Sequence, residues 1–313
     1  MSEKLRAYLL LLSVVALWGA TFVLVKDALA DCTPLLYNLI RMALAALCLA
    51  AIYRKHLRTL SRATIAGGAV AGLFLALGYE FQTAGLALTT PSKSAFITGL
   101  TVVIVPLLSI VPALRAPGSR RPGWNAYAGA LLAFLGIALL TAPGLLTSAA
   151  VDGAGINRLG INIGDLLTLG CALSFAFHLL SLAHLARKVH FEQLALLQVG
   201  FCAVFMAVGL PLERPQLHLS ATLVVALAVS AVFSTAAAFT IQSWAQQHLS
   251  ATHTALIVSA EPLFAWVTSL IFLHEGLGRQ QTLGAVLILA GIALTELLAS
   301  PAEAAAVDHL PVP

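Results

Sequence analysis

Ten apolar runs of bilayer-crossing length divide the chain, and that pattern leaves few folds open. They lie near 7–26, 34–53, 63–83, 91–112, 124–143, 164–186, 190–211, 220–243, 251–273 and 280–299. A hydrocarbon core needs about 20 apolar residues per crossing helix. Inside it, backbone N–H and C=O groups must find partners within the protein, which only helices and closed barrels achieve. Hydrophobic residues make up 60% of the 313 and charged residues 10%, against about 25% charged in soluble domains. The mean hydropathy is +0.95. No soluble core could hide so much apolar surface. The expectation is an all-α membrane protein with ten transmembrane helices and the lipid bilayer as its surroundings.

Charge placement predicts orientation. With the N-terminus inside, the inner segments hold Lys4, Arg6, Arg54, Lys55, Arg58, Arg62, Arg115, Arg120, Arg121, Arg187 and Lys188. The outer ones hold only Lys26, Arg158, Arg214 and Arg279. This positive-inside bias predicts cytoplasmic N- and C-termini, as an even number of spans requires. The net charge of +4 is thereby accounted for, and no nucleic acid is implied. The first run continues through Trp18 and Gly19 without a small-x-small cleavage site, so it reads as a helix and not a removable signal.

The chain repeats itself. Ala16–Ala20 (ALWGA) is echoed by Ala172–Ala176 (ALSFA). Gly129 and Gly136 are matched by Gly284 and Gly291 at the same spacing. The stretch from Glu80 to Leu107 is apolar yet carries Glu80, Gln82, Lys93, Ser94, Thr98 and Thr101, and it too has an echo. Gln242 stands 160 residues after Gln82, and Glu261 160 after Thr101. Each half has five spans, so the second half enters the membrane the opposite way up, an inverted repeat of the kind found in many secondary transporters. The expected units are 7–143, an outer loop 144–163, 164–299 and a cytoplasmic tail 300–313.

Three stretches are familiar: WGATFVLVK (18–26), QTAGLALTTPSKSAFITGLTVVIVPLL (82–108) and SAEPLFAWVTSLIFLHE (259–275). With them the chain resembles the EamA-type members of the drug/metabolite transporter superfamily over about 7–299. The resemblance implies two five-helix EamA repeats, a plasma (inner) membrane location, a central cavity between the repeats and alternating access. It also implies export of amino acids, other metabolites or toxic organic compounds. The first, third, fourth, sixth, eighth and ninth helices would line the cavity. Thr101-Val102 replaces the Glu-Pro pair of the second repeat, and Arg115 stands near the place of Glu275. The halves have therefore diverged, and equal roles do not follow.

Intramembrane charge costs about 2.5–3.5 kcal/mol on insertion scales, so each charged residue needs a partner or a wet cavity. Arg41 is read as an anion contact, a gating ion pair or an interhelical tie. Glu80, near the outer end of the third helix, is a partner for Arg41 or Lys93, a proton-coupling carboxylate, or an interfacial acid. Lys93, on the first turn of the fourth helix, is interfacial or paired. Glu261 precedes Pro262, whose missing N–H should disturb the helix near Val258. It is the sharpest candidate for a proton or ammonium site, with a buried structural acid as the other reading. His178 is an interhelical histidine or a proton relay, and Gln82, Gln242 and Thr98 are candidate polar lining. Trp18, far from the interfaces where tryptophan gathers, is a candidate wall. Tyr79 and Trp244 are lining candidates, with interfacial anchoring as the competing role.

No Walker sequence, HExxH, paired-cysteine site or GxSxG elbow is present, so ATP hydrolysis and the corresponding enzyme chemistries are not expected. No cofactor, metal or obligate protein partner is implied. The predicted function is export of small organic molecules by alternating access, with protons as a candidate coupling ion. A sugar-nucleotide or phosphate-ester carrier, a passive channel and an intramembrane enzyme are the alternatives. Few basic residues in the spans disfavour the phosphorylated substrates, and no convergent catalytic set supports the enzyme.

Overall fold

Local signals start the helices where the apolar runs begin. The Ser2, Ser61 and Ser220 side chains accept from the N–H three residues on and cap the helices that start at Glu3, Arg62 and Ala221. Pro34 and Pro91 are themselves the first residues of helices, where a missing N–H is harmless. The computed structural model describes residues 2–115, 123–141, 162–185, 188–249 and 257–297. Among these residues ten helices carry the fold: α1 (Glu3–Ala28), α2 (Pro34–Tyr53), α3 (Arg62–Leu88), α4 (Pro91–Leu108), α5 (Trp124–Thr141), α6 (Ile163–Leu185), α7 (Phe191–Leu212), α8 (Ala221–His248), α9 (Glu261–Leu273) and α10 (Arg279–Leu297). The first eight are long and apolar enough to cross a membrane, and Glu261–Leu273 and the Arg279–Leu294 part of α10 are shorter apolar stretches. The chain is an all-helical, multi-pass membrane protein. The expected loop 144–163, apart from its last two residues, and the tail 300–313 lie outside the described residues.

The packing treats the halves as equivalents. α1 packs on α8 and α9, just as α6 packs on α3 and α4. α2 packs on α7, and α5 on α10, so those two pairs map onto themselves when the halves are exchanged. The α5–α10 seam shows the relative direction. A Cβ on Gly136 would stand 2.6 Å from the Gly284 carbonyl oxygen, and one on Gly291 2.5 Å from that of Gly129. Later residues of α5 thus meet earlier residues of α10, so equivalent helices run antiparallel and the two halves are inverted.

Two helices are interrupted, at the same register. α4 breaks at Gly99-Leu100 into Pro91–Thr98 and Thr101–Leu108. The turn before α9 lies at Ser259-Ala260, 160 residues later. The tightened bonds correspond: Leu100 N–H to Ile97 O (3.1 Å) and Val103 N–H to Leu100 O (2.9 Å) in one half, Ala260 N–H to Ile257 O and Leu263 N–H to Ala260 O (both 3.1 Å) in the other. The sequence attributes the second break to Pro262. Val102 occupies that place in α4 and the break is there all the same, so proline is not its only cause.

Between its ends α8 also widens into a π segment, Val232–Ala237, which no sequence signal announced. α3 runs to Leu88, beyond the expected end at 83. No breaker occurs before Pro91, so Glu80 and Gln82 lie inside the helix and not at its rim.

At the end of the bundle opposite the α1 N-terminus, the α1–α2 and α7–α8 connections are tied together. Glu213 accepts from the Thr33 hydroxyl (2.7 Å) and from the Leu35 and Leu36 amides (3.1 and 3.2 Å). It thereby caps α2 from a distant loop, in place of the Thr33 side chain. Glu213→Ala is expected to cost about 1–3 kcal/mol, read as a lower thermal midpoint of the detergent-purified protein.

Candidate functional site

A cavity opens where the two halves meet. It is walled by α1, α2, α3, α4, α6, α8, α9 and Val258 just before α9, and its empty volume, counted to the open side, is about 830 Å³. Both interrupted helices reach it, through Thr98, Gly99 and Thr101 on one side and Glu261 on the other.

Of the expected residues, Trp18, Arg41, Tyr79, Gln82, Thr98, His178, Gln242 and Glu261 line this one cavity. Part of the wall is built of rings. Tyr79, Phe175, His178 and Phe239 form a closed cycle of ring contacts, with centroids 5.4, 6.5, 6.2 and 6.4 Å apart in turn, and Trp18 joins at Phe239 (5.9 Å). Neither Phe175 nor Phe239 is among the lining candidates named from the sequence. The missed signal for Phe239 is its place 160 residues after Tyr79, the offset of the two glutamines.

The polar groups differ in how completely they are satisfied. His178 Nε2 and Gln198 Oε1 share a hydrogen bond of 2.7 Å, which ties α6 to α7. Trp18 Nε1–H donates to the Ser234 carbonyl (2.9 Å), inside the π segment of α8. Its indole face is thus available to the cavity while its N–H is not. Gln82 Nε2 reaches the Thr98 hydroxyl at 3.5 Å. The Gln242 side-chain oxygen is buried without a hydrogen-bond partner among the described residues. Thr101, where Glu261 stands in the other half, donates to the carbonyls of Thr98 (2.7 Å) and Ala172 (3.1 Å). Its hydroxyl stitches the α4 break to α6.

Glu261 is the first residue of α9. The exposed amides of a helix start favour a carboxylate. No hydrogen bond or ion pair involves its carboxylate among the described residues. Its backbone is held by α1: a Cβ on Gly19 would stand 2.8 Å from the Glu261 carbonyl oxygen and 2.6 Å from Phe264 Cβ.

Three expected residues lie elsewhere. Trp244 is at the α1 N-terminal end, with the Arg6 guanidinium 5.8 Å from its ring centre and the His248 ring tilted against it at 4.4 Å. Glu80 meets neither Arg41 nor Lys93 but accepts from Asn38 Nδ2 at 3.1 Å. Lys93 pairs with Asp165 (3.7 Å), which also accepts from the Thr89 hydroxyl (2.6 Å). Beside them Lys26 donates to the Leu86, Ala87 and Thr89 carbonyls at the end of α3. Glu275 accepts from Ser92 N–H and Oγ–H at the start of α4. Lys93→Gln is therefore expected to leave the half-saturating substrate concentration unchanged. It should lower the thermal midpoint, because Asp165 loses a partner in a buried place, at a cost of about 1–3 kcal/mol.

The comparisons with known proteins agree with this architecture. The profile of the EamA-like transporter family matches residues 5–142 and 162–297, one match in each half. The chain belongs to the EamA-like transporter family. An uncharacterized transporter of Archaeoglobus fulgidus is 30% identical over 295 residues, 94% of this chain and 87% of the relative. The uncharacterized transporter YvbV of Bacillus subtilis is 28% identical over 312 residues, 97% and 96% of the two chains. A crystal structure 20% identical to the chain superposes with a TM-score of 0.64, covering 94% of this chain and 97% of that one, and shares the fold. The EamA assignment makes the chain a membrane transporter and not an enzyme, and its two domains fall on the two inverted halves.

Proposed function

We propose that this EamA protein exports small organic molecules across the plasma membrane by alternating access. One observation carries the reading: a cavity at the junction of two inverted halves, entered from both sides by an interrupted helix. Such sites in secondary transporters lie near the bilayer midplane, between repeats. The working halves are 7–143 and 164–299. The positive-inside bias of the sequence supports cytoplasmic termini. The aromatic wall favours compact, partly apolar substrates. Arg41 is the one arginine or lysine among the residues lining the cavity, and Lys93 is paired with Asp165, which disfavours a phosphate-ester or sugar-nucleotide cargo. Proton coupling through Glu261 is a separate part of the proposal.

The test is transport by the purified protein in proteoliposomes, with a panel of labelled amino acids, organic acids and cationic dyes. Saturable flux and acceleration by substrate on the opposite side are expected. Flux that neither saturates nor shows counterflow would instead identify a channel.

A further inference from the structure

Among the described residues Arg41 is a buried cation without a counter-ion. Its side chain is on the cavity wall and the residue is only 4% exposed. Nε–H donates to Thr235 Oγ1 at 2.8 Å, and one Nη2–H to the Tyr79 hydroxyl at 3.2 Å. The guanidinium carbon stands 4.5 Å from the centre of the Tyr79 ring, which gives partial cation–π compensation. No carboxylate lies within ion-pair distance of it among the described residues. A guanidinium has five N–H groups, so three of them have no acceptor there.

The geometry around Arg41 is built and not incidental. Thr235, its first partner, lies in the π segment of α8, and the Thr235 hydroxyl is itself turned by donating to the Ser230 carbonyl (2.7 Å). Trp18 braces the adjacent Ser234. Gln198, the residue at the equivalent place in the second half, is neutral and spends its side chain on His178 and Ser243. The positive charge is therefore one-sided and is not required by the repeat.

A charged side chain in such a place needs a partner. We propose that the partner is the substrate: Arg41 anchors the single carboxylate of a small organic acid, whose apolar body lies on the rings of Trp18, Tyr79, Phe175 and Phe239. One guanidinium with the Glu261 carboxyl in the same cavity suits one negative charge, not the two of a phosphate monoester. The planar fork of arginine matches a carboxylate in bidentate fashion. This inference rests on the transport reading and narrows its substrate class.

Probes that share a body and differ in one group test it: 3-phenylpropionate, phenylalanine and phenethylamine, with the matching indole set. Each is measured for counterflow in proteoliposomes and for its shift of the thermal unfolding midpoint. Compounds with the carboxylate are expected to bind at least about tenfold tighter than the amine of the same body. Arg41→Gln should remove that preference, and Arg41→Lys should restore part of it. If Arg41→Gln does not fold, Arg41→Lys serves: it keeps the charge but loses the bidentate fork, so its preference for the acids should fall below that of the wild type, and an unchanged preference overturns the proposal. Equal binding of phenethylamine and 3-phenylpropionate overturns the proposal, as does a folded Arg41→Gln protein that still prefers the acids. Saturable transport confined to compounds without a carboxylate overturns it and leaves the transporter reading standing. Absence of saturable transport for every compound in the wider panel overturns both.

Discussion

Valine at position 19 is expected to abolish transport and to destabilise the folded protein by at least ~2 kcal/mol, the scale of overpacking a close seam. Even the first atom of a side chain there would meet Phe264 Cβ at 2.6 Å, Ala265 N at 2.8 Å and the Glu261 carbonyl oxygen at 2.8 Å. Two of those three atoms are backbone and cannot rotate away. Helices in a bilayer associate largely by such close packing of small residues, so α1 and α9 would have to part. Parting them displaces both Trp18 and Glu261, because each lies at this contact. Gly200→Ala is the control. A Cβ at Gly200 has no neighbour within 4 Å, and its effect should stay within ~0.5 kcal/mol. Thermal melts of both variants in detergent, with transport in vesicles, decide the matter. A Gly19→Val protein that melts and transports like wild type would mean that the seam is looser than described.

Glu261→Gln is expected to remove the dependence of flux on a pH gradient, lowering gradient-driven transport by about tenfold or more while leaving exchange of substrate for substrate. The two side chains have nearly the same shape. Glutamine cannot take up and release a proton, and it places no charge at the start of α9. No polar partner holds the Glu261 carboxylate among the described residues, so the substitution should leave the fold intact. In the proposed coupling, an acid facing the side of lower pH is protonated and crosses neutral, and it returns charged only together with substrate. The measurement is uptake with and without an imposed gradient. Unchanged gradient-driven flux in the variant would end the coupling role and leave Glu261 as a substrate contact or a structural acid.

Much of this molecule is legible in its sequence, for a physical reason. Burial in lipid demands long apolar runs, and duplication leaves an offset that can be measured. That offset placed Gln82 with Gln242 and Thr101 with Glu261, and all four line the cavity. What the sequence hides depends on distant partners. Arg41 finds Thr235 across 194 positions, and Trp18 finds Ser234 across 216. The π turn that holds both has no local composition of its own. Lys93 could be paired or interfacial until the fold brought Asp165 beside it. Glu80 looked like a rim residue only because the end of α3 was placed too early. Pro262 drew attention to one break, while the matching break at Gly99 carries no proline in the equivalent position.

The seam between α5 and α10 has a consequence of its own. Exchange of the two halves carries Gly129–Gly291 onto Gly284–Gly136, so this contact looks the same from either side of the bilayer. The contacts of α1 with α9 and of α6 with α4 do not have that property, since each turns into the other. Motion that opens one face and shuts the opposite one can therefore leave the α5–α10 pair still, like the spine of a book, while the pages on either side trade places. The two resting positions of those pages need not be equally deep. Arg41 corresponds to Gln198, and Glu261 to Thr101, across the exchange, so the two arrangements would differ in charge, and a carrier that alternates between them would rest more on one side than on the other.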